Sequence, residues 1–228
     1  MTKEGAGSMK EENIFIKAVK IIWSSFLIGI CTLLVNAVLI FLLLTVKVTL
    51  LSLPLYFIGL LLIGPSLGAV FETELSFLLG RDIKLVKSYF HRYRTGFKSS
   101  SAIWIPYLFV LLITFADLYY ISISGKMAMV IPLLFIIVIL TLISYVYALT
   151  LYAKFVMKTK DILKLSLYLT INRPVRSVFI IFCLLILYMF FKIAGNLAVF
   201  WGIPLFAMFV VGVLKKMLNQ IETDLAQY

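Results

Sequence analysis

The stretch from Leu50 to Lys98 reads L LSLPLYFIGL LLIGPSLGAV FETELSFLLG RDIKLVKSYF HRYRTGFK. It opens as an apolar run long enough to cross a bilayer, which takes about 20 such residues. Gly64 and Pro65 interrupt the run, and an interior proline removes a helix hydrogen bond and bends the chain. Pro54, by contrast, falls in the first turn, where proline is tolerated. Two acids, Glu72 and Glu74, follow inside hydrophobic sequence. The run leaves through Gly80, Arg81 and Asp82 into basic, aromatic sequence. This reads as a long span over 50–79, made of two half-helices or strongly tilted, followed by an amphipathic helix.

Within the span Gly64, Gly68, Glu72, Ser76 and Gly80 recur every four residues, which is one stripe of a helix. Small residues on a stripe let a second helix come close, so Gly64, Pro65 and Gly68 are read as a break and packing site. Glu72 then points into a bundle, about 13 Å inside Arg81 at 1.5 Å per residue. A bare charge at that depth is costly, so the acid needs a proton, a hydrogen bond or a partner. Asn36 and the tyrosines 145, 147 and 152 are its candidate partners. Glu74 lies on another face, nearer the basic end and within reach of cations there. Asp117 lies toward the opposite surface. Together Glu72, Glu74, Asn36 and Asp117 are the candidate proton or ligand site, against the plainer reading of Glu72 as a packing acid.

The apolar fraction of 63% and mean hydropathy of +1.11 exceed what a soluble core can use, so lipid must be solvent for much of the surface. Further spans are expected at about 21–46, 102–123, 129–153, 177–194 and 197–214. The fold class is therefore all-α, a polytopic membrane protein with six transmembrane helices in a single bundle over 13–214. Residues 1–12 are read as a disordered tail or cloning remnant, and 215–228 as a polar cytoplasmic tail. The first apolar run is too long for a cleaved signal peptide. Trp23, Trp104, Tyr119 and Tyr120 fall where interface anchors belong.

Two amphipathic helices complete the plan. In 82–98, capped by Asp82, the apolar Val86, Phe90, Tyr93 and Phe97 share one face. Lys84, Lys87, His91, Arg92, Arg94 and Lys98 supply a membrane-surface or partner-docking face. The second runs over 158–173, before Pro174. A shift of 79 residues aligns Arg81, Asp82, Ile83, Tyr89 and Arg94 with Lys160, Asp161, Ile162, Tyr168 and Arg173, a weak parallel repeat. Of 21 Lys and Arg residues, 18 fall on one side of this layout, which the positive-inside rule makes cytoplasmic, with both termini. That sorting, with anionic lipid, accounts for the net charge of +11 and leaves nothing for nucleic acid to explain.

No catalytic constellation is visible: His91 is the single histidine, and no nucleotide loop or metal spacing occurs, so neither an enzyme nor a cofactor is expected. Cys31 and Cys183 each lie inside apolar runs and read as small hydrophobes. The run Gly64-Pro-Ser-Leu-Gly-Ala-Val-Phe71, then Gly80-Arg-Asp and Tyr89-Phe-His-Arg-Tyr-Arg-Thr-Gly-Phe97, resembles the YesL family. These are small integral membrane proteins of Gram-positive bacteria with no assigned function. Asn172, Arg173 and Pro174 also fit, whereas Glu72 and Glu74 stand where the family carries neutral or basic residues. Members often accompany sugar-uptake ABC transporters. The resemblance implies an accessory protein of a carbohydrate ABC importer in the bacterial cell membrane, with permease subunits as partners. A small self-contained secondary transporter using an intramembrane carboxylate is the alternative.

Overall fold

The computed structural model describes residues 14–47, 52–80, 84–124, 128–195 and 198–225, and among these every regular element is helical. The helices are α1 (Ile14–Val35), α2 (Ala37–Thr45), α3 (Leu53–Leu78), α4 (Leu85–Ser124), α5 (Ile131–Lys154), α6 (Thr159–Asn172), α7 (Pro174–Ala194) and α8 (Ala198–Leu225). Five of them are long and apolar enough to cross a membrane, and α1 with α2 makes a sixth if the bent pair counts as one span. The chain is therefore an all-α protein of the multi-pass membrane type. The expected tail over 1–12 and the Asp82 cap lie outside the described residues.

The first span is not straight. It bends by 64° between α1 and α2. At the bend, the Asn36 amide donates to the Thr32 carbonyl at 2.8 Å and to Ser66 Oγ of α3 at 2.7 Å. A side chain that bonds its own backbone competes with the helix ladder, and here it also finds a partner across the bundle. The far end of α2 is held by the Tyr56 hydroxyl, 2.6 Å from the Val46 carbonyl and 3.0 Å from that of Leu42. We expect Asn36→Leu to lower stability by roughly 0.6–1.7 kcal/mol, the range of interhelical hydrogen bonds in lipid. The readout is the midpoint of thermal unfolding in mild detergent.

The amphipathic segment and the third span form one helix of 40 residues, about 60 Å along its axis. That is roughly twice the hydrocarbon thickness of a bilayer. The three serines at 99–101 do not break it. Ser99 Oγ bonds the Gly96 carbonyl and Ser100 Oγ donates to the Gly64 carbonyl of α3 at 2.9 Å, so their hydroxyls are occupied. Trp104 is buried and not an interface anchor: its Nε1 donates to the Leu60 carbonyl at 2.9 Å. Both acceptors lie within five residues before Pro65, the proline inside α3.

The last helix also exceeds its expected end at 214, and much of the sequence read as a polar tail is helical. Lys215 and Lys216 face outward, while Leu214, Met217 and Leu218 are fully buried and Ile221 packs beside them. These four follow the i, i+3, i+4, i+7 spacing of an inward face, which the two lysines obscure in the sequence. Lys154 Nζ, at the end of α5, lies 2.7 Å from Glu222 and from Asn219 Oδ1. The α5 and α8 C-termini therefore share one end of the bundle. In α6, Ile162, Ser166, Leu169 and Thr170 are buried, and Ser166 Oγ meets Tyr107 Oη of α4 at 2.7 Å. The weak repeat does not extend to environment: Tyr89 is fully buried, whereas its counterpart Tyr168 is 60% exposed.

Candidate functional site

The small stripe of α3 meets a matching stripe of α4. A Cβ placed on Gly64 runs into the Trp104 side chain, and one on Gly68 runs into Ser100 Oγ. A Cβ on Gly96 runs into the Tyr152 hydroxyl of α5. Residues 64, 68, 72 and 76 thus face 104, 100, 96 and 92, each series stepping by four. Glycine is needed at 64, 68 and 96 because the Trp104, Ser100 and Tyr152 side chains leave no room for a methyl group. Among the described helices this is the most extensive contact.

Glu72 and Arg92 sit at the end of that seam. The Arg92 guanidinium donates to the Glu72 carbonyl and to Ser76 Oγ, the latter at 2.6 Å, and its Nε is 4.0 Å from Glu72 Oε2. Both side chains are mostly covered, 19% and 24% exposed. The Tyr152 hydroxyl lies beside them, 3.4 Å from the Gly96 carbonyl and 3.5 Å from Ser99 Oγ. Three helices, α3, α4 and α5, thus converge on one acid. Of the partners foreseen for Glu72, Tyr152 is here and Asn36 is not. Arg92 sits apart from the surface cations it was grouped with, because its position continues the inward stripe of Gly96 and Ser100.

Asn36 belongs to a second polar contact. It bonds Ser66, and Ser66 Oγ is 3.1 Å from the Tyr89 hydroxyl, so α1, α3 and α4 are linked through fully buried Ser66 and Tyr89. Two straight antiparallel rods cannot pair Arg92 with Ser76 and also bring Tyr89 back to Ser66. The α3–α4 pair is therefore bent, and its first turns cross toward α1. Tyr89 gave a sequence signal as the one aromatic of 85–98 off the apolar stripe, on the face of Arg92 and Gly96.

Glu74 lies on the other side of α3. It shares a face with Phe71 and Leu78, which meet Phe206 and Gly212 of α8. The acid is fully buried between those contacts, and among the described residues neither carboxyl oxygen has a hydrogen-bond partner. Among the described residues it reaches none of the surface cations considered for it. Asp117 is exposed, some 30 Å along α4 from Gly96, and is separate from this cluster. Among the described residues no three His, Cys, Asp or Glu side chains gather as a metal site would require.

Residues 21–118 match the family described as Protein of unknown function, DUF624. The DUF624 match begins in α1 and ends in α4. It contains the α3–α4 seam, both acids and Arg92, and excludes Tyr152 and everything after α4. No curated protein and no solved structure matches the chain.

Proposed function

We propose that the protein is an accessory subunit of a carbohydrate ABC import system in a bacterial cell membrane, with the basic end of the bundle cytoplasmic. The side-chain arrangement that carries this reading is the use made of Glu72. A transporter that works through an intramembrane carboxylate needs that acid free to bind and release its cargo. Glu72 is instead held by Arg92 beside a seam of glycines filled by side chains of the facing helices, which fits an acid that fixes helix geometry. The family resemblance of the Gly64–Phe97 region supports the sugar-uptake setting, and 18 of 21 cations on one side of the spans support the orientation. The peripheral helix α7, with Val178, Phe182, Leu185 and Met189 exposed, offers a face to a permease. The proposal gives the protein no catalytic step.

One observation favours the second reading, a small secondary transporter: Glu74 is buried without a partner among the described residues, as a proton-carrying acid would be. Purification from native membranes in mild detergent separates the two. Recovery of ABC permease subunits in stoichiometric amount is the expected result. A lone, monodisperse protein that moves a solute in liposomes, and stops on Glu74→Gln, would establish the transporter and end the accessory reading.

A further inference from the structure

The first turns of α4 carry three faces. Tyr89, Arg92, Gly96 and Ser100 turn inward, as described. The apolar stripe of Val86, Phe90, Tyr93 and Phe97 is not the packing face: Val86, Phe90 and Phe97 are 42%, 39% and 38% exposed. Beside it runs a stripe of Lys84, Lys87, His91, Arg94 and Lys98, spaced by three and four and exposed throughout. Between the stripes lies a groove of 720 Å³ lined by Phe90, Tyr93, Arg94, Thr95, Phe97 and Lys98.

The geometry points to this groove as a binding site for the headgroup of an anionic phospholipid. The face of Arg94 and Lys98 continues along α4 into Ile105 and Leu112, which stand about three and five whole turns beyond Arg94 and are exposed on its membrane-spanning part. A chain lying on Ile105 and Leu112 therefore brings its headgroup to Lys98 and Arg94, beside Phe97 and Phe90, where the helix leaves the hydrocarbon. Aromatic rings favour that level of a membrane. Arg94 and Lys98, one turn apart on the groove's other wall, meet the phosphate there, and a guanidinium binds phosphate through paired donors. A protein partner would match the cations equally well, but it would not account for their standing in line with the exposed apolar surface of the membrane-spanning part.

The test uses the purified full chain in mild detergent, titrated with phosphatidylglycerol or phosphatidylcholine and read by native mass spectrometry. Phosphatidylglycerol should bind with clear preference. The double variant Arg94→Gln/Lys98→Gln should weaken it about thirtyfold, from about fivefold per cation near an anionic surface. Both residues are exposed, so the variant should melt with the wild type. Equal binding of the two lipids would overturn the assignment, as would undiminished phosphatidylglycerol binding by the variant. Displacement of the lipid by inorganic phosphate at equal concentration would also overturn it, because the site would then be one for the free anion.

Discussion

Gly29→Ala is expected to destabilise the bundle by about 3 kcal/mol, and Gly29→Val by more. Gly29 is buried in α1 where that helix meets α8, and a Cβ there falls on the carbonyl oxygen of Phe200. That obstacle is backbone and cannot swing aside as a side chain would. The rings around it leave little slack, with Phe26 stacked on Trp201 at 5.2 Å and 5.8 Å from Phe200. Overpacking a flexible site costs about 1–3 kcal/mol, so a rigid one belongs at or above the top of that range. Thermal unfolding in mild detergent reads the effect. Gly212→Ala is the control, since its new methyl would find only Leu78 Cδ1 at 4.0 Å, ordinary contact, and should melt within about 0.5 kcal/mol of wild type. Equal melting of Gly29→Ala and wild type would mean that α1 and α8 do not approach this closely.

Arg92→Ala should cost about 2–3 kcal/mol. The substitution leaves the Glu72 carboxylate and Ser76 Oγ without their guanidinium inside a largely covered seam. Breaking a fully buried pair costs about 3–5 kcal/mol, and residual exposure of both side chains lowers that figure. Glu72→Gln should be milder, because Arg92 keeps the Glu72 carbonyl and Ser76 as acceptors. The double-mutant cycle should then show a coupling of about 1–2 kcal/mol between the two positions. Zero coupling would remove the argument that Glu72 is a structural acid, and with it the main support for an accessory role.

Much of this architecture can be read from local sequence rules. Long apolar runs mark the spans, and a four-residue repeat of small residues marks the α3 face that another helix approaches. The partner face on α4 is harder to see, because Arg92, Gly96, Ser100 and Trp104 mix charge, size and aromaticity. Only their common step of four betrays them. Arg92 looks like its neighbours Lys87, Arg94 and Lys98 in composition; what separates it is angle around the helix, not chemistry. The bend at Asn36 illustrates a different limit. A lone polar residue in an apolar run announces a need for a partner, but whether Ser66 or Glu72 meets it depends on how three helices cross. The C-terminal extension of α8 is hidden by charge: two adjacent lysines look like the end of a span when they are only its outer face.

The α1–α8 contact has a bearing on biogenesis. The two helices that meet backbone to backbone at Gly29 and Phe200 are the first and last of the described chain. Translation delivers α8 after every helix between the two, so the glycine notch of α1 must wait, unmated and lapped by lipid tails, while those helices are inserted. Closure of this contact is accordingly governed by lateral encounter within the bilayer and not by the order in which neighbouring hairpins emerge.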